Sequence, residues 1–406
     1  MHLGMSEQAK PLYEKVKQFI TTEIEPQMDE LTGELYKEGR WVHTARFLEI
    51  LDGLKAKAKA AGLWNLFLTE GDYAVELSTI DYAYMATEMG RLPWAAEVFN
   101  CAAPDTGNME VISKYGTKAQ QKEWLEPLLN GDIRSAYAMT ERDHASSDAT
   151  NVCTQAVLDG DEWVINGAKH YISGAGDPRC KVMIVMVQTD AEAPKHKQQS
   201  QILVPMNAQG VNVIRGMAVF GHDDAPHGHM EIVFDNVRVP KDNVLLGIGR
   251  GFEISQGRLG PGRIHHCMRS LGAAEQALEL LCRRGLSRTA FGKPLAKLGG
   301  NIDVIANARM EIEMCRLLVL KAAWAMDNMP ISEARVWVSM AKVRVPIMAC
   351  KVIDDAIQMH GALGISQDTP LAEMYTGQRT LRLADGPDEV HRMVVGRHEL
   401  RKYENK

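Results

Sequence analysis

The chain lacks a basic excess: 46 lysines and arginines stand against 52 aspartates and glutamates, leaving −6 at neutral pH. With no broad positive field, nucleic acid is not an expected partner. No stretch approaches the roughly 18 uninterrupted apolar residues that a membrane-spanning helix needs. The seven cysteines, at 101, 153, 180, 267, 282, 315 and 350, form no Cys-x-x-Cys pair. Scattered thiols of this kind are expected to be reduced, in neither a disulfide frame nor a zinc site. Internal repeats and low-complexity tracts are also missing, and the polar run at 191–201 reads as a loop. The opening residues, MHLGMSEQAKPLYEKVKQFI, carry Glu7 and Glu14 among their lysines. They read as an amphipathic helix and not a targeting peptide, which makes a soluble, cytoplasmic protein the expectation.

What the chain does have is length and periodicity. Its 406 residues allow two or three folding units. Residues 1–135 read helical, because Leu12, Val16, Phe19 and Ile20 keep i, i+4, i+7, i+8 spacing and LKAKAKAAGLW is rich in helix formers. From 136 to 246 the period changes to short runs rich in Val, Ile and Thr, with Asp159-Gly160 and Asn166-Gly167 as hairpin-turn dipeptides. From 247 to 406 helical stretches resume near 252–284, 301–327, 331–359 and 388–401, the third with a kink expected at Pro346. An α, β, α order excludes the alternating pattern of a nucleotide-binding parallel sheet and gives an α+β class.

Several residue groups are candidates for chemistry. The turn Gly247-x-Gly249-x-Gly251 fails the dinucleotide fingerprint, since no βαβ unit surrounds it, and reads as a connection. Tyr137-Ala-Met139-Thr140-Glu141, followed by Ala145-Ser146-Ser147-Asp148, sits where helix gives way to strand. A strand end of this kind offers N–H groups and hydroxyls to a polar ring edge or a phosphate; its plain reading is a strand end with a Ser/Asp turn. Asp385 precedes Pro387, Asp388 and Glu389, which suit the electropositive start of a helix, and its plain reading is a helix cap. His222, His227 and His229 near Asp223 and Asp224 lack a recognised ligand spacing, so no metal is expected. His265 and His266 read as pocket-lining or packing residues.

Motifs along nearly the whole chain resemble those of the acyl-CoA dehydrogenase family. The strand Tyr137-x-x-Thr140-Glu141 resembles its Y-x-x-T-E segment, and Trp163-Val-Ile-Asn166-Gly167-Ala-Lys169-His170-Tyr171-Ile-Ser173 its W-x-I-N-G-x-K-x-W-I-[ST] hairpin. Phe234 to Pro240 resembles the F-x-x-V-x-V-P strand, Arg288-Thr-Ala-Phe291-Gly292-Lys293 the R-x-x-F-G-K segment, and Gln358-Met-His-Gly361 the Q-x-x-G turn. Asp223 to His229, Gly260 to His266 and Ala384 to His391 are similar to a subgroup that includes vertebrate family members 10 and 11.

The resemblance implies an N-terminal helical domain, a middle β-barrel-like domain and a C-terminal four-helix bundle, with FAD between the last two and partly across a subunit interface. It sets Tyr137, Met139, Thr140, Tyr171 and Ser173 against the flavin, with Ser146, Gly386 and Glu389 also assigned to the cofactor. Arg288, Phe291, Gln358 and Gly361 would reach the cofactor of a neighbouring subunit, a guanidinium fork being suited to a pyrophosphate. Without the resemblance, Arg288 reads as a surface arginine. Ser147 and Arg263 match positions that contact CoA; the loop from Thr140 to Asp148 is one residue longer than the family pattern, so Ser146 and Ser147 compete for one place. The implied base is Asp385, where most members carry glutamate; the family's other carboxylate position matches Gly262, which offers none. Aspartate is one methylene shorter, and a misplacement of about 1 Å costs on the order of 100-fold in rate.

The implied reaction is α,β-dehydrogenation of an acyl-CoA thioester in fatty acid β-oxidation or related catabolism. The base takes the α proton, the flavin the β hydride, and the Gly386 N–H holds the thioester oxygen. Electrons would pass to an electron-transfer flavoprotein, and the assembly would be a homodimer or homotetramer. Two other readings stay open: a nitroalkane-oxidase-like flavoenzyme, a branch that uses aspartate as base, and a catalytically silent CoA-thioester-binding flavoprotein.

Overall fold

The computed structural model describes residues 2–37 and 39–404. Helices α1 (Lys10–Phe19), α2 (Met28–Leu35), α3 (Ala45–Ala60), α4 (Thr79–Met89), α5 (Ala95–Val98), α6 (Asp105–Tyr115), α7 (Lys118–Gln120) and α8 (Glu126–Asn130) come first. Strands β1 (Arg134–Ala138), β2 (Gln155–Asp159), β3 (Glu162–Ser173), β4 (Cys180–Gln188), β5 (Gln199–Pro205), β6 (Val211–Gly216) and β7 (His229–Pro240) follow. The chain then turns helical again with α9 (Gly251–Ser287), a small hairpin β8 (Thr289–Ala290) and β9 (Lys293–Pro294), α10 (Asn301–Asn328), α11 (Ile331–His360), α12 (Leu371–Thr380) and α13 (Asp388–Arg401). Among the described residues no helix is long and apolar enough to cross a membrane.

Two compact units arise from this order. One comprises Pro26–Val75 and Glu97–Pro261, the other Met1–Glu25, Glu76–Ala96 and Gly262–Lys406.

The first unit is built on a mixed seven-stranded sheet in the order β1-β4-β2-β3-β7-β6, with β5 on β4. Its core is made of Ala136, Trp163, Ile165, Met183, Val185, Ile202, Ile232 and Phe234, all buried. β4 reads CKVMIVMVQ and is buried on both faces over Val182–Val187, the near-continuous apolar pattern of a central strand. Asp159-Gly160 makes the predicted β2–β3 hairpin, with Gly160 at φ 65°. Asn166-Gly167 does not turn the chain: β3 runs straight through it to Ser173, and the β3–β7 register shifts there. This is a bulge, and the physical reason is crowding, because a Cβ on Gly167 would lie 2.7 Å from Thr154 Oγ1. A buried charge cluster locks the sheet to its flanking helices. Glu97 takes Lys55, Arg134 and Arg179, and Asp105 takes Arg134. Burial alone would raise the Glu97 pKa, but the three cations hold it well below the usual carboxylate range.

In the second unit α10 and α11 pack along each other, and α12 and α13 lie on α11. Pro346, where the sequence predicts a kink, lies inside α11, which runs on through it from Ile331 to His360. α4 enters with a capping box, in which Ser78 accepts from the Asp81 N–H and the Asp81 carboxylate accepts from that of Ser78. α4 meets α9 at two glycines: a Cβ on Gly272 would sit 1.9 Å from the Thr87 carbonyl oxygen, and one on Gly90 2.0 Å from that of Arg269. Only glycine permits that approach.

Candidate active site

The second unit gathers an unusual set of donors around one loop. Between α12 and α13, Asp385 and Gly386 take φ values of 54° and 99°. The left-handed region disfavours an aspartate by roughly 1–2 kcal/mol, so the surroundings must hold it there. They do so through the main chain. The Asp385 carbonyl accepts from Arg263 Nε at 2.8 Å and from His391 Nε2 at 3.3 Å. Lys342 Nζ, from α11, donates to the Ala384 carbonyl at 2.8 Å and to that of Leu381. Because a carbonyl only accepts, His391 carries its proton on Nε2, and its Nδ1 accepts from the Ser339 hydroxyl at 3.2 Å. Burial, reinforced by the Arg263 and Lys342 charges, lowers the His391 pKa to about 3, which keeps the ring neutral. Burial likewise lowers the pKa of Lys342.

The Asp385 side chain is not a cap. The residue at the N-cap of α13 is Pro387, with no side-chain cap bond, and Asp388 uses its carboxylate on Arg382 at 2.9 Å. Asp385 Oδ2 instead lies 3.5 Å from His266 Nε2 on α9. A Cβ at Gly262 would sit 3.4 Å from the same oxygen. The position that offers no carboxylate thus borders the one that does. His265, one residue before His266, packs edge-to-face on Tyr82 at 4.9 Å and is buried.

The remaining matched residues of this unit lie at its surface. Arg288 and Phe291 sit on the β8–β9 hairpin, Phe291 being 94% exposed with φ 50°. Gln358 and Gly361, at the end of α11, are exposed as well. Glu389 is exposed and pairs loosely with Arg392 at 3.7 Å.

In the sheet unit a second set of candidates comes together. His170 N donates to the Thr140 carbonyl at 2.8 Å, bringing Thr140 beside Tyr171. Tyr171 is 42% exposed with φ 58°. Ser173 is paired across the sheet with His229, and its hydroxyl lies 2.8 Å from His229 Nδ1, while His229 Nε2 faces Asp224 at 3.4 Å. This strand end is rigid because buried Lys169 donates to Glu141 Oε1 at 2.8 Å and to the Met139 carbonyl at 3.0 Å. Burial brings the Lys169 pKa down to about 8, against the pull of Glu141. Other matched residues face inward. Tyr137 shares its hydroxyl with Ser255 and Gln201, and Met139 packs with the cluster of Ala149, Val152 and Met186. Ser146 Oγ accepts from Glu141 N and donates to the His144 carbonyl, so it is consumed by its own loop, whereas Ser147 is exposed.

One pocket of about 160 Å³ adjoins this region, where Glu141, His144 and Cys153 bring possible ligand atoms within 4.8 Å of one another. The Glu141 carboxylate there already accepts from Lys169, Thr154 and the Cys153 N–H.

Lys342 is a site residue that sequence reasoning missed, and His266 reads in the sequence only as pocket-lining or packing. Lys342 had a signal: a lone cation among Val338, Ala341 and Val345, on what is otherwise a buried apolar helix face.

Comparison with known proteins identifies the family. Models of the acyl-CoA dehydrogenase N-terminal, middle and C-terminal domains match residues 6–132, 136–237 and 249–400. Human acyl-CoA dehydrogenase family member 11 is 51% identical over 95% of this chain and 50% of its own length. Mouse family member 10 is 50% identical over 98% of this chain and 37% of its own length. The chain therefore spans half or less of the length of these two relatives. A solved structure from Mycobacterium abscessus, presented as a candidate acyl-CoA dehydrogenase, is 52% identical, superposes with a TM-score of 0.94, and is covered over 98% of this chain and 100% of its own. By three consecutive domain models and by identity of about one residue in two along nearly its whole length, the chain belongs to the acyl-CoA dehydrogenase family of FAD-dependent oxidoreductases.

Proposed function

We propose that this chain oxidises an acyl-CoA thioester to the trans-2-enoyl-CoA, with Asp385 as the base that removes the α proton. The observation that carries the reading is the seat of Asp385: a left-handed loop held by Arg263, Lys342 and His391, with its carboxylate beside the bare backbone of Gly262. A carboxylate that merely capped a helix would need none of these restraints.

The chain's groups divide the work as follows. The Asp385 carboxylate receives the α proton, and the Gly386 N–H donates to the thioester oxygen, acidifying that proton. FAD, when bound, supplies the two-electron oxidation by accepting the β hydrogen as hydride. The residues fit that cofactor: Tyr171 offers an exposed ring, Thr140 and Ser173 offer hydroxyls, and the Lys169–Glu141 pair fixes the strand end that carries them. Tyr137, Met139 and Ser146 support this edge from behind, and Ser147 is left to meet the CoA portion. Arg263, matched to CoA, also braces the base loop, its Nε donating to the Asp385 carbonyl.

Arg288, Phe291, Gln358 and Gly361 serve the cofactor of a second copy, in a homodimer or homotetramer. An exposed apolar stripe on α10, Met310, Met314 and Leu317 at i, i+4, i+7, supports such an assembly, as does the bare ring of Phe291. An electron-transfer flavoprotein is the proposed electron acceptor, and fatty acid β-oxidation the proposed setting.

The test is an anaerobic screen. The FAD-loaded protein is mixed with acyl-CoAs of graded length and branching and, separately, with nitroalkanes. Bleaching of the flavin by at least one thioester supports the reading. Bleaching by nitroalkanes alone transfers the protein to the oxidase branch, and bleaching by neither leaves a silent binding protein.

A further inference from the structure

Asp385 is reached from α9 by a side chain to which the proposed reaction has so far given no role. His266 lies one turn beyond Gly262 and Arg263, and its Nε2 is 3.5 Å from Asp385 Oδ2. Its other nitrogen, Nδ1, is 3.4 Å from Arg269 Nη2. A guanidinium only donates, so Nδ1 must accept, and in the neutral ring the proton then sits on Nε2, aimed at the carboxylate. Arg269 is itself fixed: its backbone lies at the glycine crossing with α4, where Gly90 approaches the Arg269 carbonyl. The tautomer is therefore set by the contact with Arg269.

We propose that His266 is a positioning residue for the base: its Nε2–H, 3.5 Å from Oδ2, orients the Asp385 carboxylate for the substrate. This rests on Asp385 being the base, and it answers how a side chain one methylene shorter than glutamate holds its oxygen in place. Three residues of one helix divide the task. Gly262 borders the carboxylate, Arg263 holds the backbone carbonyl, and His266 orients the carboxylate. Among the described residues, the charged and titratable groups facing this pair are Arg269, His265 and Cys267 on α9 itself, Arg263 beside it, Lys342 on α11 and His391 on α13.

Geometry supplies a discriminating test. The amide nitrogen of glutamine reaches where histidine Nε2 lies, and that of asparagine reaches only as far as Nδ1. Full-length FAD-loaded His266→Asn, His266→Ala and His266→Gln proteins are compared with wild type by anaerobic stopped-flow, with an acyl-CoA that bleaches the wild type. The Asn and Ala variants should lose about 10- to 100-fold in the limiting rate of flavin reduction, the scale of a misplaced reacting group. Their apparent acyl-CoA affinity should change by less than about threefold, as expected when ground-state binding is untouched. His266→Gln should recover most of the lost rate. The acid limb of the rate profile should move to higher pH in the Asn and Ala variants, because a donor to the charged carboxylate is gone. Equal rates in Asn and Gln variants, or a loss that appears only in affinity, would overturn the proposal. Asp385→Asn is run alongside: if it too reduces flavin at the wild-type rate, the base assignment fails, and if it alone is dead, only the role of His266 fails.

Discussion

Replacing Lys342 by methionine should loosen the base loop without emptying the cofactor site. Lys342 is 1% exposed, and its ammonium holds the carbonyls of Leu381 and Ala384. Methionine fills a similar volume but donates nothing, so two carbonyls lose their partner. A buried carbonyl left unsatisfied costs about 1–3 kcal/mol. Here the lower end applies, because Ala384 is exposed and water can reach its oxygen. Against this stands relief from burying an ammonium, whose charged form burial disfavours. The net expectation is a loss of about 1 kcal/mol of stability or less, read by urea unfolding of the FAD-loaded protein. The kinetic effect should be larger in proportion. A loop relaxed by about 1 Å moves the carboxylate off the α carbon and lowers the rate of flavin reduction on the order of 100-fold. A folded Lys342→Met protein that reduces its flavin at the wild-type rate would refute the clamp.

Acid should destabilise the second unit through His391. Its pKa is 6.5 when unfolded and about 3 when folded, so the unfolded chain takes up the proton first. The contribution is fully present above pH 6.5 and falls as pH drops towards 3, by roughly 3–6 kcal/mol at about 1.4 kcal/mol per pH unit. Unfolding curves between pH 7 and 4 should be visibly flatter for His391→Gln; identical slopes would count against a buried neutral ring. Gly272→Ala should destabilise by at least about 1–3 kcal/mol, since its Cβ would meet the Thr87 carbonyl at 1.9 Å and backbone must move. A melting temperature equal to wild type would show that α4 and α9 do not cross so tightly.

Much of this architecture is written in periodicity. The long helices from 251 onward and the Val- and Ile-rich strands follow from spacings of 3.6 and 2, and Asp159-Gly160 turns as its chemistry demands. Asn166-Gly167 carries the same dipeptide signal yet lies mid-strand, because Thr154 crowds it and only tertiary packing reveals that. Helix α12 escaped notice since LAEMYTGQRT buries only Leu371 and so shows no apolar stripe. The site was legible as a set of residues but not as a set of roles. Asp385 carried two readings, a helix cap and, through the resemblance, the base, and Pro387 at the N-cap removes the first; Arg263, matched to substrate, also serves the loop through its Nε. His266 reads as pocket-lining or packing, and its partners could not be read, because they lie 3 and 119 residues away along the chain. Such a junction becomes visible only when α9 is set beside the loop.

The most direct measurement is the rate at which bound flavin bleaches when Asp385→Asn protein is mixed with acyl-CoA in the absence of oxygen. The account predicts a yellow, folded, thioester-binding protein whose bleaching is slower than wild type by about 1,000-fold or more, the loss expected when a general base is removed. Bleaching at the wild-type rate would contradict it.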